Sequence, residues 1–236
     1  MKGVFYMFAD AIERVSSAFF PIFWEHRTGN TIGVGISGTG FFISSTGHFV
    51  TAEHVISEIP KGAQIIYGGN IPDSVLPQPL TIQEIFRDAE SDIFIGQINI
   101  QNQPYFTISE QCPRIGTSIC LCGYPLAQMS GHQDGIDGII DVNAVRKYYQ
   151  PTFVIDYITS VNEGRTHDGF MTQHTSLNGM SGGPVFGIDG QALGMDVATF
   201  GRRILIPDSP QIIVNNGIVQ GVGRLRQAIQ RSGIRI

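Results

Sequence analysis

From Ile32 to Ile206 glycines cut the chain into short apolar runs, and that punctuation decides what it can fold into. Gly40-Phe-Phe-Ile-Ser44 and His48-Phe-Val-Thr51 flank Ser45-Thr46-Gly47, a pattern that predicts a hairpin. Further strands are expected at 64–67, 81–86, 93–98, 117–121, 139–145, 153–161, 170–175, 184–188, 192–198 and 204–206. Residues 71–79 carry repeated prolines, which would interrupt a central strand, so they read as a loop. Segments 131–138 and 162–169 read as flexible loops, and polar 99–113 as the connection between two halves. Helical spacing is confined to the ends. Phe8, Ala11, Ile12, Val15 and Phe19 form one stripe that stops before Pro21; Leu225, Ala228 and Ile229 form another. Many short strands in two groups, with helices at the ends, predict an all-β barrel or sandwich.

The 236 residues suffice for one large domain or two small ones, and 42% apolar with 15% charged residues describes a globular chain. A formal net charge of −5 argues against generic binding to nucleic acid or an anionic membrane. Arg224, Arg226 and Arg231 surround the last apolar stripe and read as the solvated face of a closing helix. Cys120 and Cys122 share one face of a strand and cannot bridge readily, and Cys112 has no obvious partner. Reduced, buried thiols in a reducing compartment are therefore expected. No Cys/His spacing suggests zinc. The apolar run from Gly3 to Ala9 follows a single Lys2 and makes a poor export signal, so a cytoplasmic protein is expected, with export left open.

The chemistry-bearing stretch is Leu177-Asn-Gly-Met-Ser-Gly-Gly-Pro184, a serine held between glycines. Such a turn can present Ser181 Oγ while backbone N–H groups face a common point, which suits acyl transfer. Thr51-Ala-Glu-His54 places a histidine at a strand-to-turn transition, and Ser91-Asp92 precedes the apolar run Ile93-Phe-Ile95. A carboxylate at the start of a buried strand needs a donor, and an imidazole N–H supplies one. Asp92 is preferred over Asp88 and Glu90, which precede loop-like sequence. The chain order His54, Asp92, Ser181 is the chymotrypsin-type order of a catalytic triad. His26, His48, His132 and His167 lie in turn-like contexts and read as solvated, whereas His174 lies just upstream of the serine segment.

"SGTGFFISSTGHFVTAEHV", "SDIFIGQI" and "NGMSGGPVFGIDGQALGM" resemble the His, Asp and Ser blocks of trypsin-like peptidases, most of all those of the HtrA (Deg) group. "FADAIERVSSAFFPI" resembles the helix that leads into that group's protease domain, and "RIGTSICLCGYP" the strand that opens its second barrel. The resemblance implies a double β-barrel: a single peptidase domain over 1–236, with the N-terminal helix and first barrel in 1–103. The second barrel and C-terminal helix then occupy 104–236. It implies a serine endopeptidase that acts on protein or peptide substrates through an acyl-enzyme, without metal or organic cofactor, and leaves a homo-oligomer open. Gly179 and Ser181 would supply the oxyanion-hole N–H groups. Asp196, Val197 and Ala198 would pair with the substrate main chain, and Thr175 would lie near the base of the specificity pocket. The alternative is a catalytically silent module of the same fold that binds peptides in the same cleft.

Three departures from the family pattern matter. Met180 stands where digestive trypsins have the aspartate of the zymogen switch, so that route is not expected. Thr175 is uncharged and gives no support for a lysine or arginine preference. Only 38 residues follow Ala198, too few for a PDZ domain, so regulation by an attached peptide-binding domain is not expected.

Overall fold

The computed structural model describes residues 7–29, 31–67, 82–125, 145–162, 164–204 and 212–236. The element order is α1 (Ala9–Val15), β1 (Phe19–Thr28), β2 (Thr31–Phe42), β3 (His48–Thr51), α2 (Glu53–Ser57), β4 (Gln64–Tyr67), β5 (Ile82–Asp88) and β6 (Ile93–Ile98). It continues with β7 (Ser118–Gly123), β8 (Tyr148–Asn162), β9 (Arg165–Thr172), β10 (Pro184–Phe186), β11 (Ala192–Ile204), β12 (Ile212–Gly221) and α3 (Val222–Ser232).

The first half is a six-stranded antiparallel sheet in the order β4-β1-β2-β3-β6-β5. The second is a closed barrel, β10-β11-β12-β9-β8-β7. The protein is therefore all-β with two sheets. The predicted hairpin is present: Phe41 pairs with Val50 and Phe42 with Phe49. Gly47, at φ +84, turns the chain where a side chain would strike Ile98 O.

Several expectations are corrected. Phe19 belongs not to the opening helix but to β1, whose polar end (Trp24-Glu-His-Arg27) masks it in the sequence. Pro21 is tolerated there because pairing with β4 begins one residue later, at Ile22, so the missing N–H costs no bond on that edge. Residues 165–169 are strand, not loop, because β9 starts immediately after a tight turn. The strand β12 was not anticipated at all. The predicted loops 71–79 and 131–138 and most of the predicted strand 139–145 fall outside the described residues.

One apolar core runs through both halves. Phe20 packs on Phe42 and Phe49 with ring centroids 4.7 and 5.2 Å apart. Phe8 and Phe106 both meet Phe186 of β10, and Phe106 also meets Phe41 of β2. Helix α3 buries Val222, Leu225, Ala228 and Ile229. Its arginines turn to the protein: Arg231 bonds Asp88 at 2.8 Å and Arg224 bonds Asp168 at 3.0 Å. Cys120 and Cys122 are buried free thiols and Cys112 is an exposed one.

Candidate active site

His54 is the second residue of α2, which follows β3 directly. Val55 and Ile56 are buried and anchor the short helix from below. Glu53 beside it is also buried, and its carboxylate is held by Arg87 at 3.0 Å and by the Ser57 hydroxyl. The imidazole thus stands on a fixed base and remains partly open to solvent.

Asp92 lies across from it in a left-handed conformation, φ +52, which aspartate tolerates better than most residues. The strain is over-determined by partners. Asp92 O accepts from Glu53 N, and Oδ1 accepts from His54 N at 2.9 Å. The ring Nδ1 of His54 lies 2.8 Å from Oδ2 and 3.1 Å from Oδ1. With Asp92 buried and acceptor-only, Nδ1 must carry the proton, which leaves the Nε2 lone pair free to take another.

The barrel also reaches this corner. Arg165 Nε stands 3.8 Å from Asp92 Oδ1, Thr166 N donates to Glu90 O, and Gln220 Nε2 donates to Ser91 O at 2.9 Å. His167 is buried there with Nδ1 unpartnered among the described residues, contrary to its reading as solvated, and burial lowers its pKa.

Ser181 sits on the expected glycine turn. Its carbonyl accepts from Thr39 N of β2 at 2.9 Å, and Thr39 Oγ1 donates to Gly179 O at 2.7 Å. A Cβ on Gly182 would meet Thr51 Oγ1 at 2.2 Å and Ala52 N at 2.9 Å, the latter only two residues before His54. A Cβ on Gly179 would meet Tyr124 O at 2.4 Å, and both glycines have positive φ, so only glycine fits. Sequence-distant segments are thereby wedged together: His54 and Asp92 are hydrogen-bonded, and the serine turn packs against the start of α2. Among the described residues Ser181 Oγ makes no hydrogen bond, and the N–H groups of Gly179 and Ser181 have no protein acceptor. Met180 is fully buried in a barrel cluster with Ile119, Leu121, Val154, Phe170, Val185 and Val219. That apolar site offers no partner for a charge.

The remaining predicted residues lie beside the turn. Pro184 of β10 pairs with Met195 of β11, and beyond them Gly182 N donates to Asp196 O at 2.7 Å and Asp196 N to Gly183 O at 2.9 Å. Past Asp196, β11 bulges at Val197 and keeps only β12 as a described neighbour. Thr175 Oγ1 lies 3.1 Å from Thr199 Oγ1. The Asp196 side chain is fully buried, takes the Ser176 hydroxyl on Oδ2, and leaves Oδ1 without a partner among the described residues. Burial pushes its pKa up to about 7, against smaller lowering effects from the Ser176 hydrogen bond and the charge of His54.

A model of the trypsin-like peptidase domain family matches residues 38–195, which span the histidine, aspartate and serine segments. The chain belongs to that family.

Among its relatives, this trypsin-like peptidase domain is 26% identical over 167 residues to a probable periplasmic serine endoprotease, DegP-like, of Chlamydia muridarum. The match covers 69% of this chain and 28% of the relative. A protein of the same name from Bartonella henselae is 27% identical over 198 residues, covering 78% of this chain and 34% of the relative. The chain thus spans about a third of the length of these curated relatives. In fold it is similar to the Rv3671c protease of M. tuberculosis in its active form, with a TM-score of 0.65 at 16% identity over 96% of this chain and 85% of that one. The inactive form of that protease gives 0.62 at 16% identity over 95% and 93%.

The relatives' names overturn the expectation of a cytoplasmic protein, because they are periplasmic. The free cysteines give no support to a reducing compartment either. Burial raises Cys120 to about 12 and Cys122 well above its usual value, so both thiols resist oxidation in any compartment.

Proposed function

We propose that this trypsin-like peptidase domain is a serine endopeptidase acting on protein or peptide substrates. The single observation that carries the reading is the His54 Nδ1–Asp92 hydrogen bond of 2.8 Å beside the Ser181 turn. It leaves Nε2 as the basic nitrogen on the side where a hydroxyl must be activated. Ser181 Oγ adds to the substrate carbonyl as its proton passes to His54 Nε2; Asp92 stabilises the resulting imidazolium without taking the proton. The oxyanion is received by the N–H groups of Gly179 and Ser181, for which no protein acceptor competes. His54 then protonates the leaving amine, and water, deprotonated by the same nitrogen, releases the acyl group from Ser181.

The open edge of β11 at Val197 and Ala198 offers main-chain groups to an extended substrate, with Asp196 and Thr175 at its side. We read residues 1–236 as one peptidase domain whose two sheet-bearing parts meet near residue 103.

A fluorophosphonate probe tests the reading. The wild type should label, and Ser181→Ala should not. Ser181→Ala or His54→Ala should lower turnover by roughly 10⁵–10⁶-fold. Residual activity above about one per cent contradicts the triad. Failure of the wild type to label, with or without added peptide, leaves a peptide-binding module instead.

A further inference from the structure

One residue of the first sheet grips the serine turn from outside. Thr39 of β2 is fully buried and commits each of its polar atoms to this corner. Its N–H donates to Ser181 O at 2.9 Å, and its Oγ1 donates to Gly179 O at 2.7 Å. Oγ1 also accepts from Tyr124 N at 3.2 Å, and the Thr39 carbonyl accepts from Thr51 Oγ1 at 2.7 Å. Thr51 ends β3, and α2 with His54 begins two residues later. The neighbouring Gly38 shows how close these parts lie. A Cβ there would meet Ser181 O at 2.7 Å and Val55 Cγ2 at 2.6 Å.

The turn needs such a hold. Met180 N donates to Leu177 O at 2.9 Å and closes four residues around Gly179 at φ +95, and Gly182 follows at φ +83. A glycine on each side lets the Met180-Ser181 pair pivot at little conformational cost. Oxyanion binding tolerates little pivoting, because two N–H groups must converge on one oxygen. The carbonyls of Gly179 and Ser181 bracket the peptide joining Met180 to Ser181, so pinning both to Thr39 fixes where the Ser181 N–H points. The barrel also grips the turn, through buried Met180 and the bond from Gly182 N to Asp196 O. Those contacts set the turn against the barrel, whereas Thr39 sets it against the sheet that carries His54.

We propose that Thr39 is a positioning residue for acyl transfer: its hydroxyl holds the backbone of residues 179–181, and so the oxyanion-binding N–H groups, in register with His54. The inference rests on the reading of Ser181 as the nucleophile. It adds a residue that belongs neither to the triad nor to the oxyanion donors and acts on the reaction only through them. The bond from Thr39 N to Ser181 O survives any substitution except proline, so the bond to Gly179 O is what the side chain itself contributes. Losing it lets the reacting groups drift, and a misplacement of about 1 Å costs on the order of 10²-fold in rate.

The test measures the rate constant of fluorophosphonate labelling against pH for the wild type, Thr39→Val and Thr39→Ser. Valine keeps the shape and removes the hydroxyl; serine keeps the hydroxyl and removes the methyl. Unfolding takes molecules out of the labelled population without slowing those that remain, so the rate constant separates positioning from stability. Thr39→Val should label about 10²-fold more slowly than the wild type with an unmoved pH midpoint, because the His54–Asp92 pair is untouched. Thr39→Ser should stay within about fivefold of the wild type. A Thr39→Val rate within about threefold of the wild type overturns the proposal and leaves the peptidase reading intact. So does a Thr39→Ser rate as low as that of Thr39→Val, or a shifted midpoint, which would assign the loss to His54. Absence of wild-type labelling overturns both. If Thr39→Val does not fold, Thr39→Cys decides against Thr39→Ser. A thiol is a weak donor, so the cysteine variant should label at least about tenfold more slowly, and equal rates overturn the proposal.

Discussion

Two buried aspartates flank the site, and the molecule treats them oppositely. Asp92, in the first sheet, spends its oxygens on the backbone and ring of His54, with Arg165 close by. Asp196, in the barrel, receives one hydroxyl and keeps one oxygen idle. Burial is equal in both corners, so burial does not explain the difference. What differs is whether the protein supplies the donors itself. The His54 corner is completed by the protein itself, which holds the imidazole in one tautomer. The Asp196 corner is incomplete, and a buried acceptor left unpaired is costly.

Three substitutions would break or sharpen that contrast. The largest effect belongs to Asp92→Asn, which keeps the shape but can donate to Nδ1 and so favours the wrong imidazole tautomer. Turnover should fall about 10⁴-fold with little change in KM, and a loss below tenfold would deny the corner its completeness. Next is Asp196→Asn, read by thermal melting instead of by activity. A carboxyl whose folded pKa is raised stays protonated in the native state at pH values where the unfolded chain has lost its proton. The wild type should therefore lose stability as pH rises from about 4 to about 7, and the variant should escape that loss. A melting-temperature difference that stays constant across this range would mean that Asp196 is balanced after all. The smallest effect is expected from Arg165→Gln. Removing a cation 3.8 Å from Asp92 lets the carboxylate hold the His54 imidazolium more strongly, so the acid limb of kcat/KM should move up by a few tenths of a pH unit. An unmoved limb would make Arg165 an ornament of the hairpin.

The two corners were not equally legible in the sequence. His54, Asp92 and Ser181 each stand in a local context that advertises them: a strand end, a strand start and a glycine turn. The strands that carry them were readable for the same reason. Strand β1 was missed because Pro21 and the polar run Trp24-Glu-His-Arg27 break the alternation, and only pairing with β2 and β4 on either side makes that run a strand. In β12, Asn215 and Asn216 hid the pattern in the same way. The helpers of the site come from far away: Arg165 reaches Asp92, and Gln220 the neighbouring Ser91 carbonyl, only because the β8–β9 hairpin and β12 of the barrel pack against the first sheet. Asp196 did leave a trace, a lone acid within the apolar run Ala192-Leu-Gly-Met-Asp-Val-Ala198. What no local pattern could tell was that Ser176, 20 positions earlier, would donate to its carboxylate.

The phenylalanine chain that links α1, the first sheet, the connection and β10 bears on how a substrate enters. Because Phe8, Phe41, Phe106 and Phe186 belong to one core shared by both halves, swinging the halves apart would expose those rings to water. The cleft therefore has no inexpensive hinge. The polypeptide substrate proposed above would have to be admitted without the halves parting, and the two halves should melt in a single cooperative transition.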